Sequence, residues 1–315
     1  MVSMGIRLTF SNDELFENCE ISLLIGQGFY WSLTKQIKRL DFSLVAIDTS
    51  LGWSLQGKCD EHSVCNRDEE VLSEFDNSVS FVDGRYRVSL PWRPGMREVL
   101  KNNENIARKR FERLCCRFGM DPELHCEYRN VIDGYIKGGI VEHTSCDSLR
   151  DSKGFFLPHH AVIRNDKSTS RLRIVFDGSS HEDGYASLNQ SLFTGPNLHF
   201  DILELLRFRE NPIAFTADVK SAFLQIELDI PDRNFIRFYW ADSLNGNPYI
   251  LNFARVLFGL RPSPYLLAAT LKHHFRKYKE QFPETFELLN SSVYVDDLIL
   301  GQNNIEDALS TSKEC

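Results

Sequence analysis

Residues Ser291–Gly301 read SSVYVDDLILG. Two short apolar runs, Val293–Val295 and Leu298–Leu300, flank an adjacent pair of carboxylates, Asp296 and Asp297. Alternating β-branched and aromatic residues favour strand, and Asp-Asp between two such runs predicts a tight hairpin with both acids at its tip. Carboxylates that close repel each other unless a cation lies between them. Hard divalent ions such as Mg²⁺ take carboxylate oxygens and keep open positions for phosphates. A solvated turn carries the same two letters, so the pair gains meaning only from its company.

That company lies upstream. Phe215–Glu227, FTADVKSAFLQIE, reads as an apolar strand ending at Asp218, a small-residue turn and a second strand, Leu224–Leu228. Asp218 would supply a third carboxylate. Between the two sites, Phe258–Pro264, FGLRPSP, opens a helix expected to be capped by Ser263-Pro264 and to run to about Glu280. The order D-V-K-S-A-F, F-G-L-x-P-S-P, Y-V-D-D resembles the palm of a reverse transcriptase. The flanking LPHHAVIRNDKSTSRLRIVFDGSS, Leu157–Ser180, resembles the BEL/Pao class of LTR retrotransposon polyproteins.

The resemblance implies an α+β fold of fingers and palm, an antiparallel sheet with packed helices, preceded by a small β-rich protease-like remnant. It implies RNA-directed DNA polymerase activity: two Mg²⁺ (or Mn²⁺) ions, dNTPs, and an RNA or DNA template with primer. Asp218 and Asp296 would bridge both ions, with Asp297 beside them and the Val219 carbonyl completing one shell. Arg164, Lys167 and Arg173, on a hairpin of strands Ala161–Arg164 and Arg171–Phe176, would hold the triphosphate. Phe223 matches the aromatic under the sugar; Gly259 and Ser263 match the motif that positions template and nucleotide. Phe258 stands where several relatives carry Gln. Adjacent strand residues point to opposite faces, so His159-His160 is expected to be structural rather than a metal pair.

The resemblance divides the chain into 1–60, the end of a retropepsin-like domain; 61–95, an acidic linker and hairpin; 96–150, a helical connector; and 151–315, fingers and palm without the thumb. The thumb, RNase H and integrase regions of such a polyprotein are expected elsewhere, and with so few residues after Asp297 the chain is expected to be a weak polymerase alone. Glu20–Gly26 and Ser43–Ile47 read as strands of the first segment. Asp48-Thr49-Ser50 lacks the glycine of an aspartic-protease triplet, so no protease dyad is assigned and a peptidase is disfavoured. A relic of the same fold, inactive but still binding nucleic acid, carries the same three carboxylates and stays open.

Composition agrees with a globular chain: 315 residues, 42% hydrophobic and 25% charged. A net charge of -8 argues against a protein that coats nucleic acid with its whole surface, so any groove must be a local basic patch. Arg85–Arg117 is such a run, with ten Lys and Arg against Glu98, Glu104 and Glu112. Eight cysteines form no C-x-x-C pair and read as reduced thiols of an intracellular protein, in a virus-like particle or the nucleus. Cys59, His62 and Cys65 lack a fourth zinc ligand, and no apolar run nears the roughly 18 residues of a membrane span.

Secondary structure follows the same reading. Asp83-Gly84 within Val79–Leu90 predicts a two-residue hairpin turn. Helices are expected over about Arg97–Phe118 and from Asp121-Pro122 to Gly138-Gly139. A short helix over Asp201–Phe208, strands over Ile213–Val219, Phe235–Trp240 and Tyr249–Ala254, and an amphipathic stretch Ile305–Leu309 complete it.

Overall fold

The structure is a computed structural model that describes residues 30–39, 44–50, 52–57, 62–144, 154–164, 171–199, 206–244 and 246–314. The expected strand Glu20–Gly26, the hairpin turn 165–170 with Lys167, and the first part of the expected helix 201–208 lie outside these residues. The chain divides into two compact units, residues 1–66 and 67–315.

In the first unit a turn of helix, α1 (Tyr30–Leu33), leads into an antiparallel meander of β1 (Thr34–Arg39), β2 (Leu44–Thr49) and β3 (Gly52–Gly57). Asp48 sits inside β2, opposite Gln36 on one side and Trp53 on the other.

The acidic stretch expected as a linker is instead helix α2 (His62–Ser78). Val71 and Phe75, four residues apart and therefore on one face, are buried and carry it. The hairpin β4 (Ser80–Val82) and β5 (Arg85–Val88) turns at Asp83-Gly84, both at positive φ as a two-residue turn requires. The chain then makes one helical turn, α3 (Met96–Val99), breaks, and starts α4 (Glu104–Met120). The single helix expected over 97–118 is split because Asn102 and Asn103 bind backbone groups. Asn102 Oδ1 accepts from Glu104 N–H at 2.7 Å, while buried Asn103 donates to the Phe156 and Ser180 carbonyls and accepts from Phe156 N–H. Helix α5 (Pro122–Lys137) begins as expected, with the Asp121 carboxylate accepting from Leu124 N–H at 3.0 Å and Pro122 at its first position.

Small antiparallel sheets follow. β6 (Val141–His143) joins β11 (Arg237–Trp240) and β12 (Tyr249–Phe253); β7 (His159–Ile163) pairs with β8 (Leu172–Phe176). After a short helix, α6 (Leu188–Ser191), comes β9 (Ile213–Asp218). The expected strand Leu224–Leu228 is a helical turn, α7 (Ala222–Gln225), and a two-residue strand, β10 (Glu227–Leu228). A short apolar run does not by itself discriminate the two. β10 pairs in parallel with β5, so the hairpin at 80–88 shares one sheet with Glu227–Leu228. Helix α8 (Ser263–Tyr278) and α9 (Pro283–Ser292) precede the hairpin β13 (Val293–Tyr294) and β14 (Asp297–Gln302), and α10 (Ile305–Glu314) ends the chain. Among the described residues no helix is long and apolar enough to cross a membrane.

Charge also ties residues 85–100 to residues 227–255. The buried Asp232 carboxylate accepts from Leu90 N–H at 2.7 Å and Trp92 Nε1–H at 3.0 Å and pairs with Arg97 at 3.1 Å. Burial nevertheless pushes its pKa up. Glu227 pairs with Arg87 at 2.9 Å and Arg255 at 2.7 Å. Burial alone would raise its pKa, but these guanidiniums, with Arg233, hold it below the usual carboxylate value.

The core runs from α4 and α5 through β7, β8, β11 and β12. Its polar centre is His159, fully buried, with exposed His160 on the opposite face of β7 as alternation requires. His159 Nε2 donates to the Tyr239 carbonyl at 2.9 Å, and its Nδ1 accepts from the Tyr128 hydroxyl. Burial depresses its pKa to about 4. A histidine buried neutral binds no proton in the folded chain between pH about 4 and 6.5, while the unfolded chain does. Stability is therefore fully present above the unfolded value and falls as pH drops through that window, by on the order of 3 kcal/mol in all. Urea unfolding of the second unit's signal between pH 7 and 4.5 checks this: wild type should lose stability steeply, and His159→Gln should start less stable and show a shallower slope.

Candidate active site

β14 pairs antiparallel with β9 in a register that sets Asp297 opposite Asp218, Ile299 opposite Thr216 and Gly301 opposite Ala214. Directly opposed residues share one face of the sheet. On this face Ala214, Thr216, Asp218 and Asp297 are exposed, whereas Leu298 and Leu300 on the other face are buried. The sheet alternation thus brings two carboxylates together at the open end of a strand pair.

Asp296 is half-buried and sits in the turn. The expected Asp-Asp turn is displaced by one residue: Tyr294 pairs with Asp297, so the two turn residues are Val295 and Asp296, and Asp297 is the first residue of β14. Val295 takes φ 60, an outlier for a β-branched residue, with a strain of about 1–3 kcal/mol. Three contacts hold it there. The Asp296 carbonyl accepts from Val219 N–H at 2.9 Å. Val295 N–H donates to His199 Nδ1 at 3.4 Å. The Val295 side chain packs against the core. Burial, with the Lys272 ammonium nearby, holds the His199 pKa below its usual value.

Val219 N–H and Asp296 C=O therefore stitch the residue after Asp218 to the residue before Asp297. The Val219 carbonyl accepts from Ala222 N–H at 3.1 Å and keeps one lone pair. No three His, Cys, Asp or Glu side chains among the described residues are grouped tightly enough to hold a metal ion. The backbone register brings the acids together; their side-chain oxygens are not drawn into a cage. The donor set, carboxylates with one backbone carbonyl, is the all-oxygen chemistry that suits Mg²⁺ or Mn²⁺.

Phe223, expected under the sugar, is 2% exposed and lies beneath Phe258, ring centroids 4.2 Å apart; Phe258 is 68% exposed. Of the two rings, Phe258 presents the open face. Ser263 is not a helix cap. It is buried inside the first turn, where its hydroxyl donates to the Leu257 carbonyl at 2.7 Å and closes the 257–263 loop. Gly259 has φ +106, and a Cβ there would lie 2.1 Å from the Phe176 carbonyl oxygen. The loop carrying Phe258 is thereby seated against the end of β8. Asn189, which the sequence reading missed, locks it: its amide donates to the Gly259 carbonyl and Ser179 Oγ and accepts from Arg261 N–H. The capping box Ser187–Gln190 that orients Asn189's helix was the signal available.

Arg173 is exposed on β8, opposite Val162; Arg164 is exposed at the end of β7, its N–H bonded to the Arg171 carbonyl. Lys167 lies outside the described residues. Asp177, four residues after Arg173, pairs with Arg110 at 2.7 Å. Contacts thus run from the end of β8 through Gly259 to Phe258 and the Phe223 ring beneath it.

Residues 179–315 match the family model described as reverse transcriptase (RNA-dependent DNA polymerase). This part of the chain is thus similar to a reverse transcriptase domain. It is the region of an RNA-directed DNA polymerase, a nucleotidyltransferase, and its family uses divalent metals, a nucleic-acid template with primer, and dNTPs. The match takes in β9, the Phe258 loop and the Asp296 turn, and begins after the β7–β8 hairpin. No curated protein matches the chain.

Gly259→Ala should lower the stability of the reverse transcriptase domain by about 2–4 kcal/mol, since the methyl must displace the Phe176 backbone and also strains φ. Gly134→Ala, at an open position within α5, should stabilise by about 0.5–1 kcal/mol. Thermal unfolding of the two variants side by side measures both effects.

Proposed function

We propose that the chain carries out two-metal nucleotidyl transfer, extending a primer 3′-hydroxyl with dNTPs on an RNA or DNA template. The observation that carries the proposal is the register of Asp218 against Asp297, with Asp296 in the adjoining turn. Asp218, Asp296 and Asp297 would hold the divalent ions, with the free lone pair of the Val219 carbonyl as a further oxygen donor. When bound, such ions activate the hydroxyl and neutralise charge on the leaving group.

The protein's own residues do the rest. The stitched turn presents the carboxylates on a rigid strand pair rather than on a loop. Arg173, with Arg164 and Lys167, supplies fixed positive charge for the triphosphate. Phe258 offers the flat apolar face at the sugar and base, with Phe223 as its buried support, so discrimination against a 2′-hydroxyl acts through the pair. Gly259 and Ser263 serve by shaping the loop, without themselves touching nucleotide.

The source is a BEL/Pao-type retroelement Pol polyprotein. Supporting it are the Leu157–Ser180 text and a β-rich first unit in which Asp48 lies inside a strand ladder, as a late strand of a protease-like remnant would. The thumb, RNase H and integrase regions are then partners on the same polyprotein.

Primer extension with Mg²⁺ or Mn²⁺ tests the reading. Asp218→Asn, Asp296→Asn and Asp297→Asn should each cut the rate by about 10²-fold or more, the several kcal/mol that metal ions contribute at the transition state, while circular dichroism stays unchanged. Extension that survives Asp296→Asn at the wild-type rate would sink it.

A further inference from the structure

Helix α4 buries Ala107, Phe111, Leu114 and Phe118. Its basic residues Arg110, Arg113 and Arg117 recur at i, i+3 and i+7, so they form one exposed stripe along its side. The stripe forms one wall of a cleft of about 260 Å³ whose other wall is Pro158, His159 and His160. Arg110 is anchored by Asp177. Among the described residues the side chains of Arg113, Arg117 and His160 have no hydrogen-bond or ion-pair partner.

This concentration runs against the rest of the molecule. The chain carries a net charge of -8, yet α4 holds five Lys and Arg against two Glu, Glu104 and Glu112. Like charges spaced three or four apart destabilise a helix by about 0.2–0.5 kcal/mol per pair. Arg108 is neutralised within the fold by Glu104; the Arg113–Arg117 pair is not.

We propose that this cleft binds the phosphate backbone of a single nucleic-acid strand, the unpaired template that lies ahead of the duplex. The stripe spans seven residues, about 10 Å at 1.5 Å rise per residue, which exceeds one phosphate and matches a short run of them. Guanidinium forks suit phosphate oxygens, and the exposed His160 ring opposite them gives a base a surface to stack on. Next to His160 on the same face of the hairpin come Val162 and Arg173. A strand held in the cleft therefore runs on towards the surface assigned to the incoming nucleotide. The proposal rests on the polymerase reading only for which strand occupies the cleft.

The test is equilibrium binding of a fluorescent primer–template to the 315-residue chain in EDTA without nucleotide, so that neither the metal site nor chemistry contributes. One duplex carries a 5′ single-stranded template overhang; the other is blunt. Arg113→Gln/Arg117→Gln should weaken binding of the overhang duplex and flatten its log K against log[salt] slope by about 1.4, two phosphates at about 0.7 each, leaving the blunt duplex unchanged. Arg113→Lys/Arg117→Lys should keep the slope and shows that the fold is intact. Asp218→Asn in primer extension tests the polymerase reading separately, so the failure of either one can be told apart. An unchanged slope, an equal loss on the blunt duplex, or loss of fold in the Lys variant would overturn the assignment.

Discussion

The pairing register between Ile213–Asp218 and Asp297–Gln302 is the constraint on which the site depends. Slipping it by one residue would exchange the faces of the strand, exposing Leu298 and Leu300 and driving carboxylates inward. Burying those two leucines is worth about 3–6 kcal/mol. Against it stand the repulsion of two facing carboxylates, about 0.2–1 kcal/mol, and the strain at Val295, about 1–3 kcal/mol. Burial wins, so the acids are held together by apolar side chains on the opposite face. The electrostatic tension this leaves is what a divalent cation would relieve.

Around that strand pair the structure is assembled by polar residues that reach across long sequence separations. Asp232 gathers Leu90, Trp92 and Arg97; Glu227 gathers Arg87 and Arg255; Asn103 binds Phe156 and Ser180; Asn189 binds the Gly259 loop. Each is a buried or half-buried group fully engaged by its partners, and such groups are costly to leave unpaired. Of these, Asn189 fixes the Phe258 loop against the end of β8.

Local chemistry made much of this legible from sequence. The Asp83-Gly84 turn, the Asp121 cap, the two strands of the 159–176 hairpin and the strand ending at Asp218 each follow from short-range rules. The order of three motifs then pointed to the polymerase that the family match supports over 179–315. The misreadings are equally local in cause. The acidity of 62–78 masked a helix whose buried residues, among those described, are Val71 and Phe75. The run 224–228 was too short to separate helix from strand. The Val295-Asp296 turn sets a β-branched residue at positive φ, against its propensity, and only the contacts of Val219, His199 and the core make that tolerable. Asn103, Asn189, His199 and Asp232 were invisible because their partners lie far away in the chain.

The most direct test of the central claim is a double-mutant cycle on stability, with Asp218→Asn, Asp297→Asn and the pair, read first in EDTA and then with saturating Mg²⁺. If the two acids face each other as an open cation site, each single change stabilises in EDTA, and together they stabilise by less than their sum, with a coupling of about 0.2–1 kcal/mol. Mg²⁺ should then stabilise the wild type, and not the double variant, as a ligand of the folded state does. Additive effects in EDTA together with no response to Mg²⁺ would contradict the account.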